Sequence, residues 1–160
     1  MKFLVQRVDE ASVTVEGQTI GRIGKGFLVL VGISAEDTRD TADKMIKKLI
    51  GLRIFDDENG KTNLDIRAHA LLHSIKAQIL VISQFTLYAD CRRGNRPSFI
   101  NAGAPEMANV LYQYIVRECR REIEVVEEGS FGAEMKVSLI NDGPFTILLD
   151  SAEICHSREQ

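Results

Sequence analysis

The run Ile79-Leu80-Val81-Ile82 offers no polar position to turn toward water. A half-exposed strand alternates apolar and polar residues, so four apolar residues in a row read as a strand buried on both faces. The run closes on Ser83-Gln84-Phe85-Thr86-Leu87, which leaves small polar groups and backbone amides at the end of a hydrophobic strand. A second segment has the same character. Asn141-Asp142-Gly143-Pro144-Phe145-Thr146 interrupts a β-pattern with Gly-Pro, and the pattern resumes as Phe145-Thr146-Ile147-Leu148-Leu149.

The remaining elements follow from periodicity. Phe3, Val5 and Arg7 share one face of a first strand; Val13-Thr14-Val15 and Gly26 to Ile33 continue the β signal, with Gly24-Lys25-Gly26 as a hairpin turn. Thr38 or Asp40 can cap a helix whose stripe is Ala42, Met45, Ile46, Leu49 and Ile50. Asp56 to Lys61 is a polar turn, and Asp65 to Lys76 reads as a surface loop before the apolar strand, drawn as residues 77 to 88. Cys91 to Pro97 is a basic loop. A second helix starts near Pro105 and buries Ala108, Leu111, Tyr112, Ile115 and Cys119. Glu122 to Val126, the alternating Met135-Val137-Leu139 set and Phe145 to Leu149 give the last strands. Strands outnumber helices without regular alternation, so the expected class is α+β, a single domain over residues 1–150 with an antiparallel or mixed sheet and two main packing helices. The polar tail, residues 151–160, is expected to fray.

At 160 residues and 44% hydrophobic content the chain can bury a real core. Its net charge of -3 argues against a generally basic nucleic-acid coat, so any RNA contact needs a local patch. Cys91, Cys119 and Cys155 are odd in number and lack CxxC spacing, which suits a reducing compartment. With no apolar segment of bilayer length and no signal-like start, the expectation is a soluble cytoplasmic domain with no membrane partner.

No conventional hydrolase machinery is written in the chain. GxSxG is absent, and Gly24-Lys25-Gly26 lacks the length and hydroxyl residue of a phosphate loop. His69 and His73 have the i, i+4 spacing of some zinc sites, but no HExxH accompanies them, and the preferred reading is a pair of solvated surface histidines. Asp56, Asp57 and Glu58 read as a solvated turn, able at most to bind a cation weakly. Thr86 is the one candidate nucleophile near the strand end; with no His or Lys beside it in sequence, it reads better as scaffold. No metal or cofactor is expected.

Five ordered landmarks along the chain resemble the D-aminoacyl-tRNA deacylase family: Gln6-Arg7-Val8, Ser83 to Leu87, Arg92 to Phe99, Phe131-Gly132-Ala133 with Met135, and Asn141 to Thr146. The resemblance implies a barrel-like sheet and a homodimer with active sites at the subunit interface. It also implies hydrolysis of the ester between a D-amino acid, or glycine, and the 3′ end of tRNA. Ser83, Gln84, Phe85 and Thr86 would form the reaction floor, with backbone amides and the Gln84 side chain stabilising an oxyanion. Gly143 and Pro144, joined by a cis bond, would reach into the partner's pocket and exclude L side chains. Arg7 and Met135 would hold that gate. Arg92, Arg93 and Arg96 would border the tRNA acceptor end, and Phe131 would lie beside the terminal adenine. The RNA's own 2′-hydroxyl would help activate water, which explains why no protein base is written in the chain. Phe145 stands where the family commonly has Val. The rival expectation is a non-catalytic nucleic-acid-binding module using the three arginines; DNA is not an expected partner.

Overall fold

In the computed structural model, which describes residues 1–156, one mixed sheet organises the chain. Strands β1 (Lys2–Val15), β2 (Gln18–Ile23), β3 (Gly26–Gly32), β6 (Gln78–Ser83), β7 (Val125–Glu128) and β8 (Lys136–Asp150) lie in the order β2-β1-β3-β6-β7, with β8 paired to β1. β3, β6 and β7 run parallel, while β1 is antiparallel to β2, β3 and β8. The sheet curls until Gly21 of β2 lies against the Glu128 carbonyl of β7, so the barrel is nearly closed. A small hairpin of β4 (Phe55–Asp56) and β5 (Thr62–Leu64) stands apart, closed by the polar turn read from the sequence.

This curl explains the apolar run. Leu80 and Ile82 point inward with Val8, Val13 and Leu28, where Val137 and Leu139 of β8 pack against them. Ile79 and Val81 point outward into the larger core beneath helices α1 (Arg39–Ile50) and α3 (Pro105–Glu122). Both faces of β6 are dry, each for a different reason.

The helices form where their stripes and caps place them. Thr38 is the N-cap of α1: its hydroxyl accepts from the Thr41 amide, and Thr41 returns the bond to the Thr38 amide. Such a cap is worth about 1 kcal/mol. Ala42, Met45, Ile46, Leu49 and Ile50 are all buried, as their spacing predicts. On α3, with Pro105 in its first turn, Tyr112 is wholly buried and its hydroxyl donates to the Val81 carbonyl at 2.8 Å. That bond ties the helix to the central strand.

Four sequence expectations are corrected. The apolar strand ends at Ser83 rather than continuing to residue 88; Phe85–Tyr88 is a 3-10 turn. Asp65–Lys76 is not a plain loop. It contains α2 (Ile66–His73), whose start is capped by Asp65 accepting from the Arg67 and Ala68 amides. Glu122 ends α3, so the following strand begins only at Val125. The tail does not fray at its start: Ser151–Ile154 forms the short helix α4, Ser151 is buried, and its hydroxyl accepts from the Met1 amino group at 2.7 Å. The rest of that expectation, at residues 157–160, lies outside the described residues. Among the described residues no helix is long and apolar enough to cross a membrane.

Candidate active site

Strand β6 delivers Ser83 and Gln84 to the rim of the barrel. There the Gln84 amide donates to the Val31 carbonyl at 2.8 Å, and the chain then leaves the sheet for the 3-10 turn. The turn folds tightly onto β3. A Cβ on Gly32 would come within 2.9 Å of the Leu87 Cβ and 3.3 Å of the Gln84 carbonyl, so only glycine allows this approach. Because the Gln84 amide is already committed, it cannot serve a substrate. The amides of Phe85 and Thr86, at the open start of the turn, make no hydrogen bond among the described residues. The Thr86 hydroxyl accepts from the Gln84 side-chain amide, and no base is paired with it.

Ser83, Gln84 and Phe85 line a cavity of about 650 Å³, within the usual size of small-ligand sites, while Thr86 lies just beyond its lining. Ser83 and Gln84 form one side, and Phe131 and Met135 another; the start of α3 with the preceding segment from Phe99 closes it. Phe131 packs partly against Tyr112, with ring centroids 5.7 Å apart. Phe85 also lines the cavity. Its ring is 57% exposed at the cavity mouth, in edge-to-face contact with Phe99. Met135 lines the cavity, whereas Gly143 and Pro144 do not.

The Gly-Pro segment forms elsewhere on β8. Pairing with β1 passes from Val8–Asn141 to Gln6–Thr146, so Asp142 to Phe145 bulge out opposite Arg7 alone. Arg7 is buried, and it reaches into the bulge. Its Nε donates to the Asp142 carbonyl at 3.1 Å, its Nη1 to the Ile54 carbonyl at 2.7 Å, and the Asp142 carboxylate pairs with it at 3.2 Å. The Phe145 ring lies 4.9 Å from the guanidinium, so this side chain packs within the subunit. The Gly143–Pro144 bond is cis. Asn141, which the sequence reading did not single out, closes the bulge: its side chain accepts from the Phe145 amide at 2.8 Å and donates to the Phe145 carbonyl at 3.0 Å. An Asn just before a Gly-Pro turn is the signal that could have found it.

The basic loop is pinned at its base by the Asp90–Ser98 backbone pair. Arg92 does not project freely, because it forms a two-pronged ion pair with Asp90 at 2.7 and 2.9 Å. That guanidinium holds the Asp90 carboxyl down at about 2. Arg93 and Arg96 are exposed on the same loop and carry no ion pair among the described residues.

His69 departs from the solvated reading. Its ring stacks on Phe55 at 4.2 Å, both ring nitrogens are buried without a hydrogen-bond partner, and only His73 keeps the exposed character expected of the pair. Among the described residues no three His, Cys, Asp or Glu side chains gather into a metal-binding group. Desolvation lowers the His69 pKa from 6.5, with nearby His73, Lys25 and Arg7 adding to the effect and Asp142 opposing it. The unfolded chain therefore binds the His69 proton more readily, and stability contributed by the neutral ring is full above pH 6.5 and lost as pH falls through the lowered value. We expect His69→Leu to flatten the acid side of the thermal-midpoint profile relative to the native chain. An unchanged slope below pH 6.5 would exclude His69 as the titrating group.

Comparison with known proteins now bears on this arrangement. Residues 4–150 match the sequence model of the D-Tyr-tRNA(Tyr) deacylase family. The chain belongs to that family. Membership makes it a hydrolase acting on D-aminoacyl-tRNA. The D-aminoacyl-tRNA deacylase of Thermosipho melanesiensis is 51% identical over 155 residues, 96% of this chain and 99% of that protein. The one from Clostridium novyi is 51% identical over 151 residues, 94% and 97% of the two chains. A solved structure described as a c-Myc DNA unwinding element binding protein superposes with a TM-score of 0.86 at 41% identity, covering 94% of this chain and 98% of that one. A probable eukaryotic D-amino acid tRNA deacylase shares the fold at a TM-score of 0.74 and 17% identity, covering 92% and 97%.

Proposed function

We propose that the chain removes D-amino acids, and glycine mischarged on tRNA(Ala), from the 3′ end of tRNA, proofreading translation in the cytoplasm as a homodimer. The observation that carries the chemistry is the pair of Phe85 and Thr86 amides, uncommitted among the described residues, which directly follow Gln84 where the chain leaves the cavity lined by Ser83, Gln84 and Phe85. Placed against an ester carbonyl, these donors stabilise the negative oxygen that forms when water adds to the carbonyl carbon. Collapse of that intermediate breaks the bond to the ribose 3′-oxygen, which leaves with a proton, and the amino acid departs as its carboxylic acid. The 2′-hydroxyl next door assists the water, so no histidine is required.

The Gly143–Pro144 bulge of one subunit acts as the chiral gate of its partner's cavity, held by Arg7 of its own subunit and by Met135 of the receiving one. Two features support assembly by this face. Among the described residues strand β8 pairs only with β1, which leaves a 15-residue strand with one edge unpaired there, and Ile140 and Leu148 on it are about half exposed. Unprotected edges of this length favour pairing with another chain. Arg93 and Arg96, with Arg92 behind its Asp90 partner, border the acceptor end, and Phe131 lies beside the terminal adenine.

The test is hydrolysis of D-Tyr-tRNA and L-Tyr-tRNA by the purified protein with EDTA present. Loss of the D ester alone supports the reading; equal stability of both esters overturns it. Thr86→Ala should then lower the D-specific rate by less than about tenfold, because a lost base or nucleophile typically costs 10²-fold or more. A deficit beyond that would return Thr86 to a chemical role.

The second reading is a DNA-binding module, favoured by the 41% identical structure described as a c-Myc DNA unwinding element binding protein. A net charge of -3 and an Arg92 already neutralised by Asp90 weaken it. Duplex binding that falls steeply with salt would revive it.

A further inference from the structure

Seven phenylalanines are present, and the described structure treats them unequally. Phe3, Phe27 and Phe55 are buried and Phe131 and Phe145 partly so, whereas Phe85 and Phe99 stand 57% and 37% exposed. Their rings meet edge to face, 4.9 Å between centroids at 71°, and both line the cavity mouth. Leaving two rings in water forgoes burial that phenylalanine normally contributes. Phe99 is placed there by the Asp90–Ser98 backbone pair, which closes the loop bearing Arg93 and Arg96 immediately before it. An exposed aromatic pair next to unpaired arginines is the combination that grips single-stranded nucleic acid, with bases stacking on rings and phosphates meeting cations.

We propose that the Phe85–Phe99 pair is a stacking platform for the base one nucleotide inside the esterified end of the RNA. The inference rests on the deacylase reading, in which the cavity takes the terminal aminoacyl-adenosine. A platform at the mouth of that cavity, on the side of Arg93 and Arg96, then meets the next base along the strand. The platform is indifferent to base identity, because every base offers a flat face. It makes the enzyme prefer an ester carried on an RNA strand to one carried on a lone nucleoside.

The experiment compares the ester of D-tyrosine on adenosine with the same ester on the dinucleotide CpA, for the native protein and for Phe99→Ala and Phe99→Trp. The native protein should favour the dinucleotide. Phe99→Ala should reduce that preference by roughly tenfold, through KM, and Phe99→Trp should restore it. Since the chain has no tryptophan, the Phe99→Trp variant also carries a unique fluorophore. Uncharged CpA should quench it at concentrations where adenosine does not. A Phe99→Ala loss equal on both esters would assign the rings to the terminal adenosine or the amino acid. A changed sedimentation coefficient in Phe99→Ala would assign them to a second copy of the chain. No quenching by CpA overturns the platform even if neither ester is cleaved, and quenching without cleavage overturns only the deacylase reading.

Discussion

Gly143→Ala should lower kcat/KM on D-Tyr-tRNA by about 100-fold while leaving a folded protein. Gly143 has φ +131°, a region that side-chain-bearing residues rarely adopt at a cost of about 1–3 kcal/mol. An added Cβ would also lie 3.1 Å from the Phe145 amide nitrogen, 3.3 Å from the Phe145 Cβ and 3.4 Å from Arg7 Nη2. None of these neighbours yields easily. Phe145 is clamped by Asn141 on both its amide and its carbonyl, and Arg7 is held by Ile54 and Asp142. The bulge itself must shift, and with it the carbonyls that the proposed gate would present to a partner's substrate. A displacement of about 1 Å in a positioned site is enough for a 10²-fold loss. The measurement is the D and L ester pair used above, with a thermal midpoint to show that the variant is folded. A folded Gly143→Ala protein with native D-specific rates would remove this segment from the gate.

Arg7→Leu should destabilise the fold by about 3 kcal/mol, read as a shift in the urea midpoint. A buried arginine is tolerated only when its donors are satisfied, and Arg7 satisfies them with two backbone carbonyls, the Asp142 carboxylate and, at 3.9 Å, Asp56. Leucine fills the volume but strands the Ile54 carbonyl, whose bond to Arg7 is buried, and frees Asp142 from its only cation among the described residues. The discount for Asp142, which is partly open to solvent, keeps the figure below that of a fully buried pair. Arg7→Lys should recover only part of the loss, because one ammonium cannot serve Ile54 and Asp142 on separate sides at once. A midpoint unchanged in Arg7→Leu would mean that the bulge carries no tension on this residue, and the gate would need another anchor.

Arg7 also marks what could be read in advance. Its place on the face of Phe3 and Val5 follows from a period of two, and the structure buries all three. The stripes of α1 and α3 were equally legible, since a 3.6-residue repeat and a Thr or Pro at the start are local signals. The end of β6 was not. Phe85-Thr86-Leu87-Tyr88 has strand-like composition, and it becomes a 3-10 turn because Gln84 bonds to Val31 and Gly32 lets the chain fold down. Likewise α2 was hidden by its short length and exposed Leu71 and Leu72, its one clear mark being the Asp65 cap.

The sequence by itself determined the class of fold, a doubly covered central strand with two packing helices, and it singled out the polar end of β6 and the Gly-Pro interruption that the structure places as a bulge within β8. Both are properties of neighbours within a few residues, where periodicity, turn chemistry and motif spacing act. Only the tertiary structure decided which groups remain available for chemistry. It consumed the Gln84 amide, paired Arg92 with Asp90, buried the nitrogens of His69 and left Phe85 and Phe99 in the open. Each outcome depends on a partner brought from elsewhere in the fold or on the shape of a rim. Hydrogen-bond satisfaction and desolvation are settled by three-dimensional proximity, and no local pattern encodes them.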